Sequence, residues 1–170
     1  MFVLIFVTVG SRSYPFDRLF RKLDSLYEDK ILIDRMFAQV GTSSYRPKHY
    51  EYKAYVSQSE FDKNIYQADI VVCHGASGSI MKALNAKKKI IAVTRLKKYG
   101  EHIDDHQIQN NNAFSLNHYV LMADVELNDL AECFLKIYKG QDNLLPWRNK
   151  NPMEIINLVD NFIQENFFNV

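Results

Sequence analysis

Three stretches of this chain are β-rich and apolar almost without interruption, and they constrain its fold more than any other feature. Residues 2–9 read Phe-Val-Leu-Ile-Phe-Val-Thr-Val and stop at Gly10; residues 69–73 read Asp-Ile-Val-Val-Cys; residues 89–94 read Lys-Ile-Ile-Ala-Val-Thr. A strand with one wet face alternates apolar and polar residues, whereas a strand covered on both faces need not. Such runs fit a parallel sheet. Segments with helical spacing lie between them: residues 15–27, with Phe16, Leu19, Phe20, Leu23 and Leu26 on one face, then 57–67, 80–86 and 105–114. Further strands are expected at 35–40 and 119–122, with a short strand or extended loop at 50–56. Two helices, at about 126–139 and 152–167, are expected to close the chain, joined by a loop at 141–151 that holds Pro146 and Trp147. Strands alternating with helices imply right-handed crossovers. The expected class is α/β, a Rossmann-like doubly wound parallel sheet with helices on both faces.

Size and charge narrow the classes. A chain of 170 residues, 47% of them hydrophobic, is expected to form one domain with a core that needs no disulfide or metal staple. Its 21 basic and 20 acidic side chains leave a net charge of +1, which argues against a broad cationic face for nucleic acid. The longest unbroken apolar run, residues 1–7, is far short of the roughly 20 that cross a bilayer. It has neither the basic start nor the cleavage site of a signal peptide. Cys73 and Cys133 sit in apolar stretches without a CxxC pair, as reduced structural thiols of a cytosolic protein do.

In a doubly wound sheet the ligand lies beyond the carboxyl ends of the strands. Three polar loops fall there. The richest is His74-Gly-Ala-Ser-Gly-Ser79, where glycines admit close backbone approach, Ser77 and Ser79 offer hydroxyls, and a helix begins. It lacks the lysine of a P-loop and the spacing of a GxGxxG fingerprint. It reads either as an anion cradle or as a tight turn with serine caps. Gly10-Ser11-Arg12 could add N–H donors to the same anion. Tyr99 to Gln107 reads Tyr-Gly-Glu-His-Ile-Asp-Asp-His-Gln, dense in hydrogen-bonding groups. His102 and His106 would share a face if this stretch were helical, but no third metal ligand is well spaced, so no metal is expected. Asp104 or Asp105 could cap the helix. His106 and Gln107 suit the hydroxyls of a polyhydroxyl ligand. Lys87, Lys88 and Lys89, with Arg95, Lys97 and Lys98, concentrate positive charge, as a solvated face or as an attraction for an anionic substrate or membrane surface.

In chain order, Val7-Thr-Val-Gly-Ser11, Phe37-Ala-Gln-Val-Gly41 with Tyr45-Arg-Pro47, Ala68-Asp-Ile-Val-Val-Cys-His-Gly-Ala-Ser-Gly-Ser79 and the Arg95–Gln107 stretch together resemble bacterial polysaccharide glycosyltransferase subunits of the PssE/Cps14G type. These are relatives of eukaryotic Alg13 and of the C-terminal domain of MurG. The resemblance covers about residues 1–122, and Gly-Glu-His-x-Asp-Asp-His-Gln is its most specific element. It implies the donor-binding half of a GT-B enzyme, with a UDP-sugar across these loops. By position, Gly10 and Ser11 would lie by the diphosphate, and His74, Ser77, Gly78 and Ser79 would hold it. Arg95, Glu101, His106 and Gln107 complete the implied donor site, with His106 and Gln107 on sugar hydroxyls. Where the superfamily often has a ribose-gripping Glu, this chain has Lys82.

The resemblance further implies an inverting, metal-independent transfer of a hexose, glucose or galactose, to a lipid-diphosphate-linked sugar in capsular or exopolysaccharide synthesis, with no cofactor. A membrane-anchored PssD/Cps14F/Alg14-like subunit would bring the acceptor and hold the chain at the cytoplasmic face of the plasma membrane. No general base is assigned to this chain; Glu101, His102 and Asp105 are the residues dense enough to mention. The alternatives are a non-catalytic nucleotide-sugar-binding subunit and a generic Rossmann-like nucleotide-binding module.

Overall fold

In the computed structural model, which describes residues 3–147, β1 (Leu4–Thr8) is flanked on both sides, by β2 (Arg35–Gln39) and β4 (Ile70–His74). β3 (Glu51–Lys53) lies outside β2; β5 (Lys89–Val93) and then β6 (Leu121–Met122) lie outside β4. The sheet order is β3-β2-β1-β4-β5-β6, and every pairing is parallel. Crossovers are made by α1 (Asp17–Glu28), α2 (Gln58–Gln67), α3 (Ser77–Asn85) and α4 (His106–Leu116), and α5 (Leu130–Tyr138) follows β6.

Successive residues of one strand serve opposite faces, which is why the apolar runs have no polar gaps. Val7, Val72 and Val93 pack with Leu19 and Leu23 of α1 and Phe134 of α5. Their neighbours Phe6, Val71 and Ala92 pack with Ile65 of α2 and Ile80 of α3. Full burial of each larger side chain contributes roughly 1.5–3 kcal/mol, so the three central strands carry much of the stability. Cys73 and Cys133 are free and buried, and burial pushes both thiols up to about 12. They are neutral packing groups.

Three expectations change. α3 begins at Ser77 rather than at residue 80, so the serines lie in its first turn. α5 begins at Leu130 rather than 126, because the Asp124 and Asp129 carboxylates accept main-chain N–H groups of Asp124, Glu126 and Asp129 and hold a turn there. The basic run is also split. Lys87, Lys88 and Lys89 stand at the entry to β5, and Arg95, Lys97 and Lys98 beyond its exit, about 16 Å along the strand. Lys89 pairs with Asp142, and Lys98 with Glu126. The helix expected at 152–167 lies outside the described residues, among which no helix is long and apolar enough to cross a membrane.

Candidate functional site

The chain builds β1, β2 and β3 outward on one side, then crosses to build β4, β5 and β6 on the other. The connections leaving β1 and β4 therefore diverge, and a crevice opens above their carboxyl ends. A cleft of about 540 Å³ occupies that position. Nine of the ten residues expected at a donor site line it: Gly10, Ser11, His74, Ser77, Gly78, Ser79, Arg95, His106 and Gln107.

α3 aims its N-terminus into this cleft without a cap. Its N-cap residue is Ala76, with no side-chain hydrogen bond, and the Ser79 and Ile80 N–H groups both reach back to the Ala76 carbonyl. The N–H groups of Ser77 and Gly78 have no partner among the described residues. Of the two readings of this loop, serine caps are the one that fails, because the serines stand inside the helix. Free donors, two hydroxyls and the positive end of the helix dipole converge on one place, which is the arrangement that binds an anion.

Gly10 and His74 form the floor. Gly10 has φ of +72°, and a Cβ there would lie 2.6 Å from His74 Cε1, so only glycine lets the β1 turn close over the ring. Burial, followed by the neighbouring Arg95 charge, pushes His74 down to about 3 and keeps it neutral. Arg95 is fully buried, and burial lowers its guanidinium to about 10, still a cation at neutral pH. Gln39, at the end of β2, donates from Nε2 to the Gly10 carbonyl at 3.0 Å.

The far wall is α4, whose buried face is polar. Gln107 Oε1 accepts from the Arg95 N–H at 3.3 Å, Asn110 donates to the Gly75 carbonyl, and Asn111 donates to the Val93 carbonyl. A Cβ on Gly75 would come within 2.9 Å of both Gln107 Cβ and the Gln107 carbonyl, so glycine is what admits α4 this closely. His102 and His106 meet by a turn rather than along a helix face, since α4 begins only at His106. Asp104 lies between their Nδ1 atoms, 3.1 Å from that of His102 and bonded to His106, with the rings 4.9 Å apart. The His106 bond, above all, holds the Asp104 carboxyl below its usual value. These three ligand atoms lie within 4.8 Å of one another, close enough for one metal ion, but here they satisfy each other. Asp105 occupies the N-cap position, yet its carboxylate accepts from the Lys97 N–H instead.

Glu101 is the exception among the expected residues, and it does not line the cleft. Its two oxygens take Arg18 Nε at 2.8 Å and Arg18 Nη2 at 3.0 Å, and Oε2 also takes the Leu96 N–H at 2.9 Å. Arg18 continues to the carbonyls of Thr94 and Val125. Glu101 therefore clamps the loop that carries Arg95 and His102, with three hydrogen bonds on its two oxygens. The cleft also takes in residues beyond these ten, among them Arg12, Lys82 and His102, which the sequence singled out, and Gln39, Phe61 and Asn110, which were not expected at a site. Gln39 carried a readable signal, as a polar residue at the carboxyl end of an apolar strand. Phe61 carried none, being one more apolar residue on an amphipathic helix. No Asp or Glu is among the residues lining the cleft, whereas Arg12, Lys82 and Arg95 are.

Comparison with known proteins agrees with this architecture. The family model described as glycosyltransferase family 28 C-terminal domain matches residues 4–161. The UDP-N-acetylglucosamine transferase subunit ALG13 of Cryptococcus neoformans var. neoformans serotype D is 31% identical over 93 residues, which are 54% of this chain and 46% of that protein. The chain thus spans about half the length of the curated relatives it matches. The solution structure of an ALG13 superposes with a TM-score of 0.59 at 15% identity, over 92% of this chain and 94% of that one. MurG of Acinetobacter baumannii superposes with a TM-score of 0.58 at 13% identity, over 85% and 43%. At such identities the two structures speak for the fold alone.

Proposed function

The chain belongs to the glycosyltransferase family 28 C-terminal domain family, and from that premise we propose that it is the donor-binding, catalytic subunit of a two-component transferase. It takes a hexose from a UDP-sugar and passes it to a lipid-diphosphate-linked sugar in capsular or exopolysaccharide synthesis, as PssE/Cps14G-type subunits do. The observation that carries this reading is the uncapped start of α3, open to a cleft lined by cations and no carboxylate. A nucleoside diphosphate is the ligand such a cleft suits. The names of the ALG13 relatives, subunits of a UDP-N-acetylglucosamine transferase, support the donor class and the need for a second subunit.

In this reading the Ser77 and Gly78 N–H groups and the Ser77 and Ser79 hydroxyls hold the diphosphate. They strengthen their bonds as the bond to the anomeric carbon breaks and charge gathers on departing UDP. His74 stays neutral under the Gly10 turn, so it orients the site rather than charging it. His106 and Gln107 meet the sugar hydroxyls. No carboxylate lines the cleft, and the acceptor comes with the partner, a membrane-anchored subunit that also holds this chain at the cytoplasmic face of the membrane. The same observation favours, as a second reading, a subunit that binds the nucleotide sugar without completing the catalytic site.

Calorimetric titration of the chain with UDP, UDP-glucose, UDP-galactose and UDP-N-acetylglucosamine tests the donor site. Absence of UDP binding would end the proposal. Product formation from one donor, with partner and lipid acceptor supplied, is the expected outcome; binding without transfer under those conditions selects the second reading.

A further inference from the structure

Arg95 heads the fully buried side chains of the described residues by size, and it is 0% exposed. It follows β5 at the crevice edge and lines the cleft. A guanidinium presents five N–H donors and is costly to bury unless they are met. Here Nη2 donates to the Tyr14 carbonyl at 2.9 Å, while Nε and Nη1 have no partner among the described residues. The Phe16 ring lies 5.9 Å from the guanidinium carbon and gives a weak cation–π contact at most. Glu101 is close enough to stabilise the charge, but its oxygens are committed to Arg18 and the Leu96 N–H.

Two more buried polar atoms of the same cleft are also without partners: Gln39 Oε1 at the end of β2 and His74 Nδ1 at the end of β4. The sheet order places these strands around β1, so unspent groups from both sides of the switch point converge on one crevice. Together they offer a cation with unused donors, an acceptor, and a neutral ring nitrogen. That combination matches a ligand bearing an oxyanion beside a hydroxyl or N–H. The Ser77–Ser79 helix end lies on one wall of the cleft and Arg95 on another, under the start of α4.

We infer that Arg95 is the seat of an oxyanion of the bound nucleotide sugar, donating from Nε and Nη1 to a phosphate or carboxylate oxygen, with Gln39 Oε1 accepting from the same ligand. The identity of the ligand rests on the function proposed above; the seat rests on the unspent donors. The oxyanion is either the diphosphate or a carboxylate carried by the transferred sugar, and the test separates them.

The experiment is titration of the full chain, wild type and Arg95→Gln, with UDP, UDP-glucose and UDP-glucuronate, after circular dichroism has verified the fold. A tenfold or greater loss shared by all three ligands assigns Arg95 to the diphosphate. A loss confined to UDP-glucuronate, with wild type preferring it over UDP-glucose, assigns Arg95 to the sugar carboxylate. Unchanged affinity for all three overturns the inference. Should the variant not fold, ¹⁵N-labelled wild type supplies the readout: an arginine Nε–H resonance must shift on saturation with UDP or UDP-glucuronate, and no shift overturns the seat. If wild type binds none of the three, the functional proposal fails by itself. Inorganic pyrophosphate then tests the seat alone, with binding lost in Arg95→Gln in its favour and binding unaffected by the substitution against it.

Discussion

α2 and α3 both begin in serine-rich turns and treat their first N–H groups in opposite ways. At α2, Ser57 accepts from the Glu60 N–H at 3.2 Å and the Glu60 side chain accepts from the Ser57 N–H at 3.1 Å, a complete capping box. At α3, Ala76 stands where a cap would be, and the donors of Ser77 and Gly78 are left open to the cleft. The first arrangement spends its donors within the chain. The second forgoes stability of order 1 kcal/mol and leaves a place where an anion completes the helix. Of these two helix starts, only the one without a cap leaves its first N–H groups unspent.

That contrast can be attacked from several sides. The largest effect is expected from Ala76→Asp, which supplies α3 with an internal carboxylate. UDP affinity should fall about 100-fold, or ~2.7 kcal/mol, the worth of one to two charge-assisted hydrogen bonds, while the melting temperature does not fall. Unchanged affinity by calorimetry would mean that the helix end does not face the nucleotide.

A smaller effect concerns His74, the last residue of β4 before the open turn. Its folded value, about 3, lies below the ordinary 6.5. Between these limits the unfolded chain takes up a proton that the folded chain refuses. The stability owed to a neutral His74 is therefore whole above about pH 6.5 and is lost as pH falls, by up to about 1.4 kcal/mol per unit. In urea unfolding from pH 7 to pH 5, wild type should lose about 2 kcal/mol more than His74→Asn. Parallel losses in the two proteins would show that His74 is not held neutral.

Replacing both Ser77 and Ser79 by Ala removes two hydroxyls and leaves the main-chain donors. UDP affinity should weaken about tenfold, roughly 1.4 kcal/mol, clearly less than for Ala76→Asp. A loss as large as that of the aspartate would put the binding energy in the hydroxyls rather than in the helix end. Ser57→Ala closes the series. It should cost about 1 kcal/mol in chemical denaturation and leave UDP affinity unchanged. A change in affinity there would break the distinction between the two helix starts.

Much of this architecture is legible in residue patterns, and the misreadings have physical causes. The central strands were readable because burial on both faces removes every polar gap from Ile5–Val7, Ile70–Cys73 and Ile90–Val93. The start of α3 was read late because Ser77, Gly78 and Ser79 are poor helix formers, kept in the helix by its place in the fold. Gly10, Ser11, His74, Ser77, Gly78, Ser79 and Arg95 line the cleft because each stands at or shortly after the end of β1, β4 or β5, whereas His106 and Gln107 reach it from the start of α4. Glu101 stands outside the cleft, held by Arg18 from 83 residues earlier, and no local pattern reports a contact at that separation. The place of Arg95 just past β5 is legible, but its unspent donors are not: they exist only once Tyr14, Glu101 and α4 have closed around it.

The Arg18–Glu101 clamp has a consequence for the order of events. Arg18 ties the start of α1 to the carbonyls of Thr94 and Val125 and, through Glu101, to the Leu96 N–H. Three loops are thereby set in place by the chain's own side chains before any ligand arrives, so little ordering entropy remains to be lost on binding. A pocket preorganised in this way needs no folding template. On the function proposed above, nucleotide loads onto the lone polypeptide first, and the second subunit meets an already occupied surface.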